Sequence, residues 1–150
     1  MIQIVNDDIF NAFSHGCDAI CHQVNCQGKM NAGLAKEIAK RYPEVKRDYE
    51  ELCMEEEPSK LLGTYLDTPV EGGHIISIFG QNYYGRDNQC YTDYHALTWG
   101  FHRLDLAYWN RKIAIPYGIG CGLGGGDWSI VLQIIETQFI NADVAIFRKG

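Results

Sequence analysis

His22 breaks an apolar run, and Asn25 follows at the mouth of a small-residue segment, in "CHQVNCQGKMNAGLAKEIAKRYP" over residues 21–43. Imidazole titrates near neutrality, so His22 could take a proton from water or give one to a leaving hydroxyl. The plainer reading is a histidine satisfied inside a core. A second glycine-dense stretch, "GIGCGLGGGD", covers residues 118–127. Glycine admits positive φ and lets the backbone approach a ligand closely. Successive N–H groups can then point into one concavity, and a helix start adds about half a positive charge. Such turns hold phosphate without cationic side chains. The second stretch has no Lys or Arg and the loop "NCQGKMNAG" of the first has only Lys29, so main-chain amides must do most of the holding. Neither stretch ends in the Gly-Lys-Ser/Thr of a P-loop, and "GLGGGD" lies too late in the chain for a dinucleotide fingerprint.

Both turns need a strand before them and a helix after. "DAICHQV" and "KIAIPYG" read as buried strands. After the first turn, Leu34, Ile38, Tyr42, Val45, Tyr49 and Leu52 recur at steps of three and four, the pattern of an amphipathic helix that Pro43 must kink or split. After the second, Val131, Ile134, Ile135 and Phe139 form one stripe, with Asp127 as a plausible N-cap. Ile2 and Ile4 suggest a first strand, with a helical turn through Ile9, Phe10 and Phe13. "KLLGTYLDTPV" and "HIISIFGQ" are two β-like runs separated by Glu71-Gly72-Gly73. A helix follows on Tyr94, Leu97, Phe101, Leu104 and Tyr108, and "DVAIFRK" is a last strand. Strands alternating with helices predict an α/β sheet covered on both faces, in a single domain over residues 1–150. In such sheets ligands sit at the carboxyl ends of strands, where both glycine turns fall.

Composition excludes some classes of function. The formal charge of −6 disfavours a duplex-binding surface, and no stretch approaches the roughly 20 apolar residues of a membrane span. "MIQIVNDDIF" is acidic and its apolar run too short for a signal peptide. The six cysteines therefore read as reduced thiols of a cytoplasmic protein. Cys17, Cys21, His22 and Cys26 match no zinc-ligand spacing, so no metal is expected.

The chain resembles the macrodomain family of ADP-ribose-binding modules over nearly its whole length. "VNDDIF" is similar to the family's opening motif, with Asp7 in place of a glycine. "HQVNCQGKMNAGLAKEIAKRYP" is similar to its first ligand loop and "IPYGIGCGLGGGDW" to its phosphate-gripping loop. Within the family the chain most resembles the branch of the yeast-type ADP-ribose-1''-phosphate phosphatase and the terminal ADP-ribose glycohydrolases, and "H-x-x-N-C-x-G", "RYP…DYEELC" and "LLGTYLDTP" are especially like its phosphatase subgroup. The resemblance implies a three-layer α/β/α fold with a mixed central sheet and no cofactor. It implies ADP-ribose, or a derivative such as ADP-ribose-1''-phosphate, as partner, with ADP-ribosylated macromolecules as a wider set. Asp8 would accept the adenine amine and Ile9 would offer its N–H to the base. Asn25 would face the distal ribose. Gly28, Met30, Ala32, Gly33 and Leu34 would wall one side of the ligand, and Gly118, Ile119, Gly120, Cys121, Gly122 and Leu123 the other. His22 stands where the phosphatase-like branch carries a histidine.

Two departures shape the expected chemistry. Glycohydrolases of this branch that use a lysine nucleophile carry it after the "HIISIF" strand, where this chain has Gly80 and Gln81. Their acid follows "GCGL", where this chain has Gly124, and the nearest carboxylate is Asp127. A lysine adduct is therefore not expected. Asp127 could reach the distal ribose from a flexible "GGG" loop or serve as a helix cap. The expected function is a metal-independent hydrolase acting on the distal ribose of an ADP-ribose derivative, foremost an ADP-ribose-1''-phosphate phosphatase removing the terminal phosphate and otherwise an ADP-ribosyl hydrolase, with His22, Asn25 and Asp127 as catalytic candidates. The alternatives are a non-catalytic ADP-ribose reader and, more weakly, a structural domain with a degenerate pocket.

Overall fold

The computed structural model describes residues 2–150. The strands are β1 (Ile2–Val5), β2 (Ala19–Asn25), β3 (Tyr65–Val70), β4 (Gly73–Gln81), β5 (Lys112–Pro116) and β6 (Asp143–Phe147). The helices are α1 (Gly33–Arg41), α2 (Pro43–Glu55), α3 (Pro58–Leu61), α4 (Tyr94–Ala107) and α5 (Trp128–Gln138). The strands form one sheet in the order β1-β6-β5-β2-β4-β3. Only β3 runs antiparallel, against β4 at the sheet edge, where the missing donor of Pro69 is tolerated.

Alternation along each strand divides the interior into two cores. Cys21, Ile76, Ile78, Ile113 and Ile115 meet α4 and α5 on one face. Ile20, Val24, Ile75, Phe79 and Ala114 meet α1, α2 and a 3-10 turn at Ile9–His15 on the other. The expected mixed sheet covered on both faces is therefore present. Cys17 and Cys26 lie in the second core and Cys21 in the first, so the sheet itself separates these thiols.

Pro43 splits the predicted long helix, standing in the first turn of α2 after Tyr42 has left helical geometry. The run "KLLGTYLDTPV" becomes strand only from Tyr65. Its first residues belong to α3 and a turn at Gly63, where φ is +85°. No helix among the described residues is long and apolar enough to cross a membrane. Because β2, β4 and β5 are parallel, the connections that follow them all emerge at one edge of the sheet.

Candidate functional site

Those three connections enclose a cleft of about 550 Å³. The first is pinned from within. Asn25 Nδ2 donates to Lys29 O at 2.9 Å, and Asn25 Oδ1 accepts from Gln27 N at 2.9 Å. From α2, the fully buried Tyr49 donates its hydroxyl to Asn25 O at 2.6 Å, with Asn25 Oδ1 at 2.9 Å, and accepts from Lys29 N at 3.2 Å. Asn25 thus spends most of its polar capacity shaping the loop. The second amide hydrogen of its Nδ2 remains uncommitted.

This loop delivers the chain to the start of α1 at Gly33, whose φ of +57° favours glycine. No side chain caps α1, and the first helical bond runs from Lys36 N to Ala32 O. The amides of Gly33, Leu34 and Ala35, all in residues bordering the cleft, therefore lack partners among the described residues. An uncapped helix start of this kind attracts an anion.

The second glycine turn borders the opposite side. The amides of Gly118, Gly120, Gly122 and Leu123 likewise make no bond among the described residues. The turn is held rather than flexible. Tyr91 N and Thr92 N both donate to Gly124 O, and Thr92 Oγ1 donates to Gly120 O at 2.6 Å. A Cβ on Gly125 would lie 2.3 Å from Gln89 O, so this glycine serves close packing against the β4–α4 connection. Gln23, on the floor, ties the same parts together by donating to Gln81 Oε1 at 2.7 Å and Thr92 Oγ1 at 2.9 Å. Its own Oε1 is buried without a partner. A Cβ on Gly80 would crowd that oxygen and Leu97 Cδ2, so glycine here lets both side chains pack close to the strand.

His22 lies on the cleft floor within β2, 1% exposed. Its Nε2 shares a 2.8 Å hydrogen bond with Ser77 Oγ across the β2–β4 pair, and its Nδ1 has no partner. Burial lowers its pKa to about 3, so the ring is neutral at physiological pH. Asp127 caps α5, accepting from Ser129 N at 2.9 Å and Ser129 Oγ at 2.7 Å, and these bonds hold its pKa down. It does not border the cleft, so the capping role is the one its geometry supports.

Ten of the expected site residues border the cleft: His22, Asn25, Ala32, Gly33, Leu34, Gly118, Ile119, Gly120, Gly122 and Leu123. Met30 and Cys121 do not wall it: Met30 is buried in the core beneath the loop, and Cys121 packs against the α4–α5 core. Gly28 makes the loop's turn at φ +77°, against Cys53. Asp8 and Ile9 stand outside the cleft, at the 3-10 turn after β1. Asp8 accepts from Phe10 N at 3.0 Å, which lowers its pKa, while Ile9 N donates to no group among the described residues. Asp7 accepts from Asp8 N, Asn11 Nδ2 and His15, binding this turn together where the family motif has a glycine.

The reading from sequence missed Gln23, Gln81, Arg86 and Tyr117, all of which border the cleft. Tyr117, 44% exposed, lies 4.8 Å from the ring of Trp128 behind it. Arg86 arrives on the β4–α4 connection, far in sequence from both glycine turns. Among the described residues no aspartate or glutamate borders the cleft, although the chain has 19 of them against 13 Lys and Arg.

No family model matches the sequence. The chain is 30% identical over 127 residues to a DNA ADP-ribosyl glycohydrolase of Mycobacterium tuberculosis, covering 81% of this chain and 35% of that protein. A shorter match, 40% identical over 50 residues, joins it to an ADP-ribose 1''-phosphate phosphatase of Saccharomyces cerevisiae, over 33% of this chain and 28% of that protein. The chain thus spans about a third of the curated relatives it matches. Among solved structures, the macrodomain of Mycobacterium tuberculosis DarG superposes with a TM-score of 0.80 at 23% identity, over 100% of this chain and 99% of that one. A macrodomain protein from Streptomyces coelicolor gives 0.80 at 21% identity, over all of both chains. Thermosipho africanus DarTG in complex with ADP-ribose gives 0.77 at 19% identity, over 97% of this chain and 41% of that one.

Proposed function

The chain has the macrodomain fold, and on that premise we propose that its cleft binds the ADP-ribose moiety and that it hydrolyses a bond at the distal ribose. One observation carries the binding: two sets of unsatisfied main-chain N–H groups, at α1 and at Gly118–Leu123, border a cleft without a carboxylate. That arrangement suits a diphosphate gripped from both sides. Strand order supports one orientation. From β1 to β4 there are four inter-strand steps, about 19 Å at roughly 4.8 Å each. A base near Asp8 and Ile9 leaves the diphosphate at the glycine turns and the second ribose over β2 and β4, beside Asn25 and His22.

The named activities of the curated relatives, a glycohydrolase and a phosphatase, favour hydrolysis at that distal end. Gly80 and Gln81, where a lysine nucleophile would stand, argue against a lysine adduct. His22 is then the base. A bound anion beside it favours the imidazolium and raises its affinity for a proton drawn from the attacking water. Either a phosphate ester or a glycosidic link at the distal ribose fits this reading.

A second reading, a reader without turnover, draws on the burial of His22 and the lack of any carboxylate in the cleft. Incubation with ADP-ribose-1''-phosphate, ADP-ribosylated protein and ADP-ribosylated single-stranded DNA decides between them. The hydrolase releases phosphate or ADP-ribose from at least one, and His22→Ala abolishes release while ADP-ribose still binds. Binding with no release from any of the three leaves the reader. If ADP-ribose gives no heat at millimolar concentration, both readings fail.

A further inference from the structure

Away from the cleft, apolar side chains gather on the outer face of α4. The helix buries Leu97, Phe101 and Leu104 in the core. Its opposite side carries His95, Trp99, His102 and Leu106, all exposed, and Trp109 continues the row in the turn that follows. Steps of four, three, four and three are the spacing of a seam between helices. Trp99 is 59% exposed, Leu106 52% and Trp109 58%. Ile140, at 77%, extends the patch. Asp105 accepts from Asn141 N at 2.9 Å and from Ala142 N at 2.8 Å, and Asn110 N donates to Asn141 O, which holds the Ile140 segment beside the end of α4. The outer face of α2 is different in kind: it presents Lys46, Arg47, Glu50 and Glu51, as a helix facing water does.

We propose that a second copy of the chain docks on this face, the two α4 helices packing antiparallel about a twofold axis at His102. In that arrangement the row is its own complement: His102 meets His102, Trp99 meets Leu106, and His95 meets Trp109 of the other copy. Shape agrees with it. Beside His95 and Trp99 lies a groove of about 320 Å³, with Leu62 and Ala96 among its walls, at the end of α4 where Trp109 of the other copy arrives. Charge agrees as well. The one carboxylate of α4, Asp105, is buried and turned to Asn141, and its one Arg or Lys, Arg103, is held aside on Gly63 O at 2.6 Å, so neither opposes its own copy at the seam. More than half exposed, the two tryptophans alone offer on the order of 200 Å² of surface. With Leu106, Ile140 and the flanking histidines, the face approaches the roughly 800 Å² per partner of a standard interface. The pairing is independent of what the cleft binds. Because α4 begins at the connection that borders the cleft, antiparallel packing sets the two clefts at opposite ends of the pair.

Sedimentation velocity from about 5 to about 500 μM tests the pairing, and the wild type should pass from monomer to dimer across that range. Trp99→Glu and Leu106→Glu, both at exposed positions, should each weaken the dimer more than tenfold, whereas Glu50→Lys on α2 should not. Melting temperatures of the same variants separate lost pairing from lost folding. A second readout locates the axis. With the exposed native thiol removed by Cys90→Ser, His102→Cys should form an intermolecular disulfide in a glutathione redox buffer, because a residue on the axis faces itself, and Glu50→Cys should not. A chain still monomeric at about 500 μM overturns the proposal and leaves the face to an unlike partner. A dimer indifferent to both α4 substitutions, or one in which His102→Cys fails to cross-link, overturns it too.

Discussion

Replacing Tyr49 by Phe removes one oxygen from the site's support without substituting any residue that borders the cleft. The ring is fully buried and stacked on Phe79 with centroids 5.9 Å apart, so phenylalanine keeps the packing and opens little space. What disappears is the bond to Asn25 O at 2.6 Å and the acceptor for Lys29 N at 3.2 Å. Leaving a buried carbonyl and an amide underused costs about 1–3 kcal/mol. Lys29 N retains Asn25 Oδ1 at 3.4 Å, which places the expected loss in the lower half, about 1.5 kcal/mol. At this chain length that lowers Tm by roughly 3–6 °C. The loosened loop must also be ordered when ligand binds, adding about 1 kcal/mol, or about fivefold, to the dissociation constant for ADP-ribose. Thermal melts with and without ligand, together with calorimetry, measure both effects. A Tm within about 1 °C of wild type would refute the hydrogen-bond accounting. A clear drop in Tm with unchanged affinity would show that this loop is not part of the binding site.

Other substitutions probe separate parts of the reasoning. Unfolded imidazole takes up a proton near pH 6.5, whereas His22 in the fold holds out to about pH 3, so acidification between those values favours unfolding and nothing is lost above pH 6.5. Urea midpoints should fall from pH 7 to pH 5 by the equivalent of about 2 kcal/mol from this residue, and His22→Gln should flatten that slope; an unaltered slope contradicts the neutral buried ring. Gly33→Glu sets a carboxylate in open space at the uncapped start of α1, where φ is +57°, and should weaken ADP-ribose more than tenfold, so unchanged calorimetric affinity puts the anion elsewhere. Tyr117→Ala should weaken adenine-bearing ligands about tenfold, on the scale of base stacking, and spare ribose 5-phosphate; equal loss for both ligands removes the base from that wall.

Much of this protein was legible in the chain itself. Periodicity fixed the helices, the buried runs fixed the central strands, and Pro43 marked the break between α1 and α2, because each depends on a handful of adjacent residues. The glycine turns announced an amide-lined site for the same local reason. Tertiary structure alone decided which groups share the cleft. Strand order brought Arg86 to the same cleft as Lys29 across 57 residues of sequence, and alternation along β2 set His22 against Ser77 and turned Gln23 to the other face. It also reassigned "GGG" from a mobile arm to a surface packed on Gln89 and Thr92, and Tyr49 from a core aromatic to the anchor of the first loop. Pairings between distant segments carry no periodic signal, because they depend on the path of the whole chain rather than on any stretch of it.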